Sequence, residues 1–300
     1  MNGFLIVNKP TGRTSSDVVV FVRKRLPRGI TVGHGGTLDP EASGVLPVCV
    51  GSAARLFDYI IDKQKTYVAR LKLGVETDTQ DATGQVVRTL PVTVGEAEVR
   101  AALGRFVGDI EQVPPMYSAL KRDGKRLYKL ARRGETVALE PRRCRVDAID
   151  YLGCEGDDTH RLQIRCGKGV YIRTLCHDIG RALGCGGHMQ TLERTAAGIF
   201  RIEDALTLEA VDALAQRDDL SSALIPLDAP LGHLPAVRVG ERSRHAVVNG
   251  NPLRAQWLEA PAPQVDAVRV YLEDTFAGIG QPLPDGSVRF RAMLYQPEEE

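Results

Sequence analysis

The stretch Gly33-His34-Gly35-Gly36-Thr37-Leu38-Asp39-Pro40-Glu41-Ala42-Ser43-Gly44-Val45-Leu46-Pro47 constrains this chain more than any other. Glycines at 33, 35, 36 and 44 allow close backbone approach and dihedrals closed to other residues. Residues 29–36 are glycine-dense and are expected to hold no regular element. Asp39 precedes a proline, which pushes it towards extended geometry and out of any helix. Apolar runs lie at residues 4–7, which read as a short buried strand, and at 45–50, which read as a short strand or buried segment. On spacing alone Asp39 is a turn former, because Asp-Pro is common turn chemistry. Nucleophile, base and metal ligand remain open as roles. Neither a Gly-Lys-Ser/Thr ending nor GxGxxG is present, so a phosphate-cradling loop is a poor match.

The rest of the chain alternates between two periods. Thr14, Ser15, Ser16 and Asp17 offer helix caps, and Val18, Phe21, Val22 and Leu26 follow at roughly helical spacing. Residues 53–61 read as a helix. Tyr67, Ala69, Leu71 and Leu73 fall on one face of a half-buried strand, with Arg70 and Lys72 on the other. Residues 95–106 read as a helix presenting Val99, Leu103 and Phe106. Leu162, Ile164 and Cys166 alternate again. Gly167-Lys168-Gly169 reads as a turn, residues 170–173 as a second strand, and 174–183 as a helix closed by Gly184. Interspersed strands and helices give an α/β or α+β class with a mixed sheet. A proline-rich, acidic stretch ends near Gly232. The expected division is a catalytic domain over 1–231 and a small β-rich domain over 232–300, with strands near 268–272 and 288–294.

The 300 residues suffice for about two domains of ~150 residues. No run approaches the ~18 apolar residues of a membrane span, and no secretory signal is read at the start. The six cysteines form no CxxC pair, so reduced thiols in a cytoplasm are expected. Cys185-Gly-Gly-His188 with Cys176-His177 imitates a metal site. Its second pair is adjacent rather than spaced, so no metal is expected.

The overall charge of +1 says nothing about partners, but its distribution does. Residues 121–145 hold ten basic side chains, among them Lys125 and Arg126, against three acidic ones, a local net charge of +7. Tyr117 and Tyr128 interleave with them. Cations this dense repel unless an anion visits, and phosphates are the obvious visitor. A solvated helix face is the alternative. Residues 201–231 are acidic, with seven carboxylates to two cations, and 232–300 carry nine to seven.

The run from Gly33 to Gly51 resembles the signature of the bacterial transfer-RNA pseudouridine-55 synthases, the TruB family. Other blocks agree in order. Asn8-Lys9-Pro10 with Thr14-Ser15-Ser16 is similar to the family's opening. Lys65-Thr66-Tyr67 with residues 74–81 resembles its second block. Residues 115–121 and 124–128 resemble its RNA-gripping insertion, placed at about 116–145. Residues 167–174 and 184–192 resemble two further blocks. The resemblance covers roughly residues 3–230, and the tail is similar to the small β domain called PUA. Two positions depart: Gly35 stands where the family usually has Thr, and Glu41 where it usually has an apolar residue.

The resemblance implies isomerisation of a T-loop uridine of transfer RNA to pseudouridine, without a cofactor. Asp39 matches the essential aspartate, which attacks the ribose or base or removes a ribose proton. Arg173 matches the arginine that pairs with it, and Tyr67 the tyrosine that stacks on the target base. Tyr171 and Leu192 match pocket residues. His34 matches a histidine that holds the RNA once the target has left its stack. Lys125 and Arg126 would contact phosphates, positioning without reading sequence. Read from the residues alone, Arg173 is a strand-edge surface arginine, and Tyr67, Tyr171 and Leu192 are packing.

Two alternatives carry different chemistry. A non-catalytic RNA-binding or RNA-folding module would have no need of the Asp39–Tyr67–Arg173 set. A small-molecule nucleosidase would need a second carboxylate, for which Glu41 is a weak candidate, and leaves the basic stripe unexplained. Guide-RNA-dependent relatives share the catalytic block. The basic insertion and compact length favour the stand-alone type, a cytoplasmic monomer with no obligate protein partner.

Overall fold

The computed structural model describes residues 1–60, 64–117, 121–122, 125–127, 137 and 139–295, with backbone alone at 121–122 and 125–126. β1 (Gly3–Lys9) is buried almost throughout. α1 (Ser15–Arg23) follows, although its valines are weak helix formers. Two things override that preference. Thr14 Oγ1 accepts from the Asp17 amide at 3.0 Å while the Asp17 carboxylate accepts from the Thr14 amide at 2.8 Å, a reciprocal cap. Val18, Val19 and Val22 then pack on Leu5, Val7, Leu46 and Val48.

β2 (Val32–His34) corrects one expectation, because the glycine-dense segment does contain a strand. It pairs with β3 (Ser43–Val50), Gly33 opposite Cys49 and His34 opposite Val48. Pairing with an existing strand supplies the order that local composition does not. The helix expected over 53–61 is a 3-10 segment, Gly51–Leu56, followed by turns, and residue 61 lies outside the described residues. β4 (Lys65–Leu73) alternates as read, with Tyr67, Ala69, Leu71 and Leu73 buried. β5 (Val75–Thr77) and β6 (Val86–Thr89) form a hairpin. α2 (Glu96–Leu103) carries Val99 and Leu103 inward, and the last turn expected of it, Gly104–Phe106, is 3-10.

β7 (Gly108–Gln112) precedes a two-residue hairpin of β8 (Lys121–Arg122) and β9 (Lys125–Arg126). β10 (Arg142–Cys154) and β11 (Thr159–Cys166) pair antiparallel. α3 (Ile172–Ala182) corrects a second expectation: residues 170–173 are not a strand. Ile172, Leu175, Cys176 and Ile179 recur at helical spacing and are all buried, and this longer pattern overrides the local β-branched composition. β12 (Gly187–Ala197), β13 (Phe200–Arg201) and α4 (Leu208–Gln216) complete the larger part.

The main sheet runs β1-β3-β12-β4-β11-β10-β7, with β2 and β13 attached at its side. Its pairings are antiparallel except one. β12 meets β3 in parallel at two positions, Glu193 with Ser43 and Arg194 with Gly44. Gly44 has φ +102°, and a Cβ there would collide with the Arg194 carbonyl, so only glycine lets the strands close at this point.

A separate sheet, β14 (Ala236–Val239), β15 (Val268–Leu272), β16 (Thr275–Pro282) and β17 (Val288–Met293), begins after the acidic stretch. α5 (Arg244–Val248) packs on it. Ile279 and Ala292 from this sheet, with Leu294 just after it, share a core with Phe4, Ile6 and Phe200.

Candidate active site

Asp39 sits where the loop leaving β2 turns back into β3. The Ala42 amide donates to the Asp39 carbonyl at 3.1 Å, so the backbone forms the turn expected of Asp-Pro. Two neighbours pin this turn. Ser15 Oγ accepts from the Leu38 amide at 2.9 Å and donates to its carbonyl at 3.0 Å. Lys9 is fully buried, and its ammonium donates to the carbonyls of Pro10, Arg13 and Pro40 at 2.8, 2.6 and 2.9 Å. Burial lowers the Lys9 pKa to about 8, against the pull of Glu41 and Asp39.

Arg173 enters from the first turn of α3. Its Nε lies 3.0 Å from Asp39 Oδ2. The guanidinium also reaches Asp81 Oδ2 at 3.6 Å and donates to the carbonyls of Tyr117 at 2.8 Å and Thr79 at 3.4 Å. Asp81 is itself held by the Thr79 hydroxyl at 2.7 Å and the Thr83 amide and hydroxyl at 3.0 and 2.6 Å. The cation is thus fixed from four directions, which fixes the carboxylate it faces.

Asp39, Arg173, Tyr67, Tyr171 and Leu192 line one cavity of about 250 Å³, with Lys65 and Arg194. Such a volume suits a nucleobase rather than a drug-sized ligand, for which pockets start at roughly 300 Å³. Asp39 is the only carboxylate among the described lining residues. Tyr67 projects from β4 directly opposite Arg194 on β12. Burial pushes the Tyr67 phenol above its usual pKa, although Arg194 pulls the other way. Tyr67 is therefore a neutral aromatic wall at pH 7. Leu192, two residues before Arg194, presents the same face of β12.

Two supporting residues escaped the reading of the sequence. Arg194 has no exposed surface, and its guanidinium donates to the carbonyls of Val45 at 2.7 Å, Gly36 at 3.3 Å and Thr37 at 3.5 Å. It ties both flanks of the Asp39 loop to β12. Gln112, buried at the end of β7, accepts from the Tyr171 amide at 3.0 Å and donates to the Tyr171 carbonyl at 3.2 Å. It holds the residue from which α3 starts. The signal for Arg194 was its place two residues after Leu192 on one strand face. Gln112 gave none.

His34 does not line the cavity. It stands on β2, with Nδ1 buried and without a hydrogen-bond partner. Burial, and Arg194 secondarily, lower its pKa. Glu41 is exposed and faces a neighbouring groove with Arg70 and Arg161. Lys125 and Arg126 occupy β9, but their side chains are outside the described residues, as are Tyr128, Lys129, Arg132 and Arg133 of the basic stripe. The six cysteines are free thiols. His188 Nδ1 lies 2.9 Å from the Val75 carbonyl, and burial pushes the Cys176 thiol up to about 12. Among the described residues no group of three His, Cys, Asp or Glu is placed to hold a metal ion.

Residues 24–172 match the family model for the N-terminal domain of TruB family pseudouridylate synthases, and 173–232 match that for the tRNA pseudouridylate synthase B C-terminal domain. The chain is 43% identical over 294 residues to tRNA pseudouridine synthase B of Aromatoleum aromaticum, covering 98% of this chain and 93% of that protein. It is 44% identical over 284 residues to the protein of the same name from Burkholderia mallei, covering 94% and 93%. Among solved structures, that of an H/ACA RNP bound to a substrate RNA containing 2′-deoxyuridine aligns with TM-score 0.74 at 26% identity, covering 99% of this chain and 86% of that one. The crystal structure of a Cbf5-Nop10-Gar1 complex aligns with TM-score 0.70 at 29% identity, covering 94% and 78%.

Proposed function

The chain belongs to the TruB family of pseudouridylate synthases, and on that premise we propose that its target is the uridine at position 55 in the T loop of transfer RNA, with Asp39 as the acting carboxylate. It is a transfer-RNA pseudouridine synthase, an isomerase. The uracil N1–C1′ bond breaks, the base turns, a C5–C1′ bond forms, and the C5 proton is replaced by one at N1. Nothing is added or removed overall.

The observation that carries the assignment of Asp39 is its pairing with Arg173 at the edge of a cavity of nucleobase size. Arg173 aims the carboxylate, and Asp39 acts on the ribose or base of a nucleotide extruded from the stack. Tyr67 offers the extruded base a neutral aromatic face, with Leu192 and Tyr171 enclosing it. His34, beside the loop rather than in the cavity, supports the RNA that the target has left. Lys125 and Arg126 meet phosphates, and the C-terminal sheet acts as a PUA-like RNA-binding domain. The enzyme works as a cytoplasmic monomer without an obligate protein partner. Among the described residues no helix is long and apolar enough to cross a membrane.

The test is nucleotide-resolution mapping of pseudouridine in unmodified transfer RNA, incubated with the purified protein without added metal or cofactor. Modification at the T-loop uridine is expected. Modification only at another position would overturn the assignment, and binding without any modification would favour an RNA-binding module.

A further inference from the structure

A second cavity abuts the first. It measures about 330 Å³ and shares Gly36 and Lys65 with the Asp39 cavity. Its wall is apolar: Phe4 and Phe200, whose ring centroids lie 5.9 Å apart, form the floor with Cys49, while Pro47, Ile60 and Phe57 form the sides. Floor and mouth differ. Phe4 and Phe200 are buried, but Phe57 is 37% exposed and follows directly on the 3-10 segment Gly51–Leu56.

Gly35 explains how the ring comes to lie there. A Cβ on Gly35 would meet Phe57 Cε2 at 3.3 Å and Pro47 Cβ at 3.4 Å, so the bare backbone at 35 leaves the space that the ring uses. The departure at position 35 noted in the sequence thus has a consequence. It seats an aromatic ring against the loop that carries Asp39. Cations stand on the same rim: Lys65, which borders both cavities, and Lys168, exposed on the turn whose glycines border the first.

We propose that Phe57 and this cavity form a second nucleobase subsite, which receives an unpaired base neighbouring the target nucleotide while Lys65 and Lys168 meet the phosphates on either side. The inference rests on the proposed action on transfer RNA. Its chemistry is that of single-strand recognition, in which bases splayed from a loop stack on aromatic rings and the backbone follows cations. Extruding one nucleotide strains its neighbours out of the stack, and a ring beside the catalytic cavity compensates where that strain arises. Asp58 and Gln64 also border the cavity, and the Gln64 amide is engaged by Asp147 at 3.1 Å. Asp58 is the acidic group among the described lining residues and is exposed, an acceptor for a base amino group and a repellent for a phosphate placed on its side.

The test is a double-mutant cycle in binding. T-arm hairpin RNAs are made intact and with a single abasic site at each neighbour of the target in turn, and their Kd is measured with the wild type, Phe57→Leu and Phe57→Trp. For one of the two neighbours, loss of the base should weaken wild-type binding about tenfold, within the range of base–aromatic stacking. The same loss should cost Phe57→Leu little, and Phe57→Trp should restore it. Additive effects of Phe57→Leu and both abasic sites would overturn the subsite. A purely structural role for Phe57 predicts that additive result, since it weakens intact and abasic RNA alike. Should Phe57→Leu fail to fold, Phe57→Met takes its place in the cycle. Pseudouridine formation on intact RNA is followed in parallel with the wild type. Turnover together with additivity removes the subsite and spares the proposed function. Coupling without turnover removes the function and spares the subsite.

Discussion

Arg173 approaches Asp39 to 3.0 Å, yet the two differ sharply in exposure: the arginine side chain is 6% accessible and the aspartate 42%. The cation is walled in by Asp81 and by two carbonyls, while the anion reaches into the cavity. This asymmetry leaves the carboxylate free to meet a substrate while its counter-ion cannot move.

Asp39→Asn retains shape and loses charge. Turnover is expected to fall by at least about 10³-fold, the scale of losing a nucleophile or base, with RNA affinity changed little. Single-turnover pseudouridine assays beside binding isotherms check this, and near-normal turnover would take Asp39 out of the reaction.

Arg194→Met leaves the buried carbonyl of Val45 and the part-buried carbonyls of Gly36 and Thr37 without this donor. At about 1–3 kcal/mol for the one buried orphan, with water able to reach the other two, a loss of about 2 kcal/mol in urea unfolding is expected. kcat should fall with it, because the Asp39 loop loses its tether. A variant as stable as the wild type would show that the loop holds itself.

Gln112→Ala unties the Tyr171 backbone at both its amide and its carbonyl. A cost of about 1–3 kcal/mol is expected, together with a raised KM as Tyr171 loses its fixed place. Gln112→Glu should recover only part of this, since a carboxylate has no donor for the Tyr171 carbonyl. Equal recovery by Glu and wild-type Gln would contradict the bidentate clamp.

Lys9 makes stability depend on pH in an unusual direction. Its pKa is about 8 in the fold against 10.5 for an exposed lysine, so above pH 8 the unfolded chain holds a proton that the folded one has released. Stability from this group therefore rises between pH 8 and 10.5, by at most about 3 kcal/mol at 1.36 kcal/mol per pKa unit. Below pH 8 both states are charged and the contribution is flat. The difference between wild type and Lys9→Met, followed by urea unfolding across this range, should show the rise, and a pH-independent difference would refute it.

Charge reversal at both Lys125 and Arg126 should weaken RNA binding and flatten its dependence on salt. Two lost phosphate contacts lower the log–log slope by roughly 1.4 to 1.8. An unchanged slope would remove these residues from the interface.

Much of the fold was legible in the sequence where one period ran long enough. β4 declared itself through Tyr67, Ala69, Leu71 and Leu73, and the cap residues from Thr14 to Asp17 marked the start of α1. The misreadings came where local composition and tertiary context disagree. Residues 170–173 look like a strand, but Ile172 begins a buried helical stripe, and that moves Arg173 from a surface edge into the interior. Val32 and Gly33 look like loop until β3 pairs with them. Asp39, Tyr67, Arg173, Tyr171 and Leu192 converge on one cavity, whereas His34 stays outside it. The supports for that cavity were harder to see. Gln112 and Arg194 act on backbone atoms, and backbone atoms carry no mark of residue type.

The single parallel contact between β3 and β12 sets a timetable for synthesis. The Asp39 loop leaves the ribosome early, but Arg194, which ties it down, belongs to a strand made far later. At about 5–20 residues per second the interval is roughly 8 to 30 seconds. During that time a nascent chain gains Tyr67 soon after Asp39 and Arg173 only late, and it lacks the Arg194 tether throughout. The tether on the Asp39 loop is thus complete only when about two thirds of the chain has been made, and a truncated product that stops short of β12 lacks both Leu192 and Arg194.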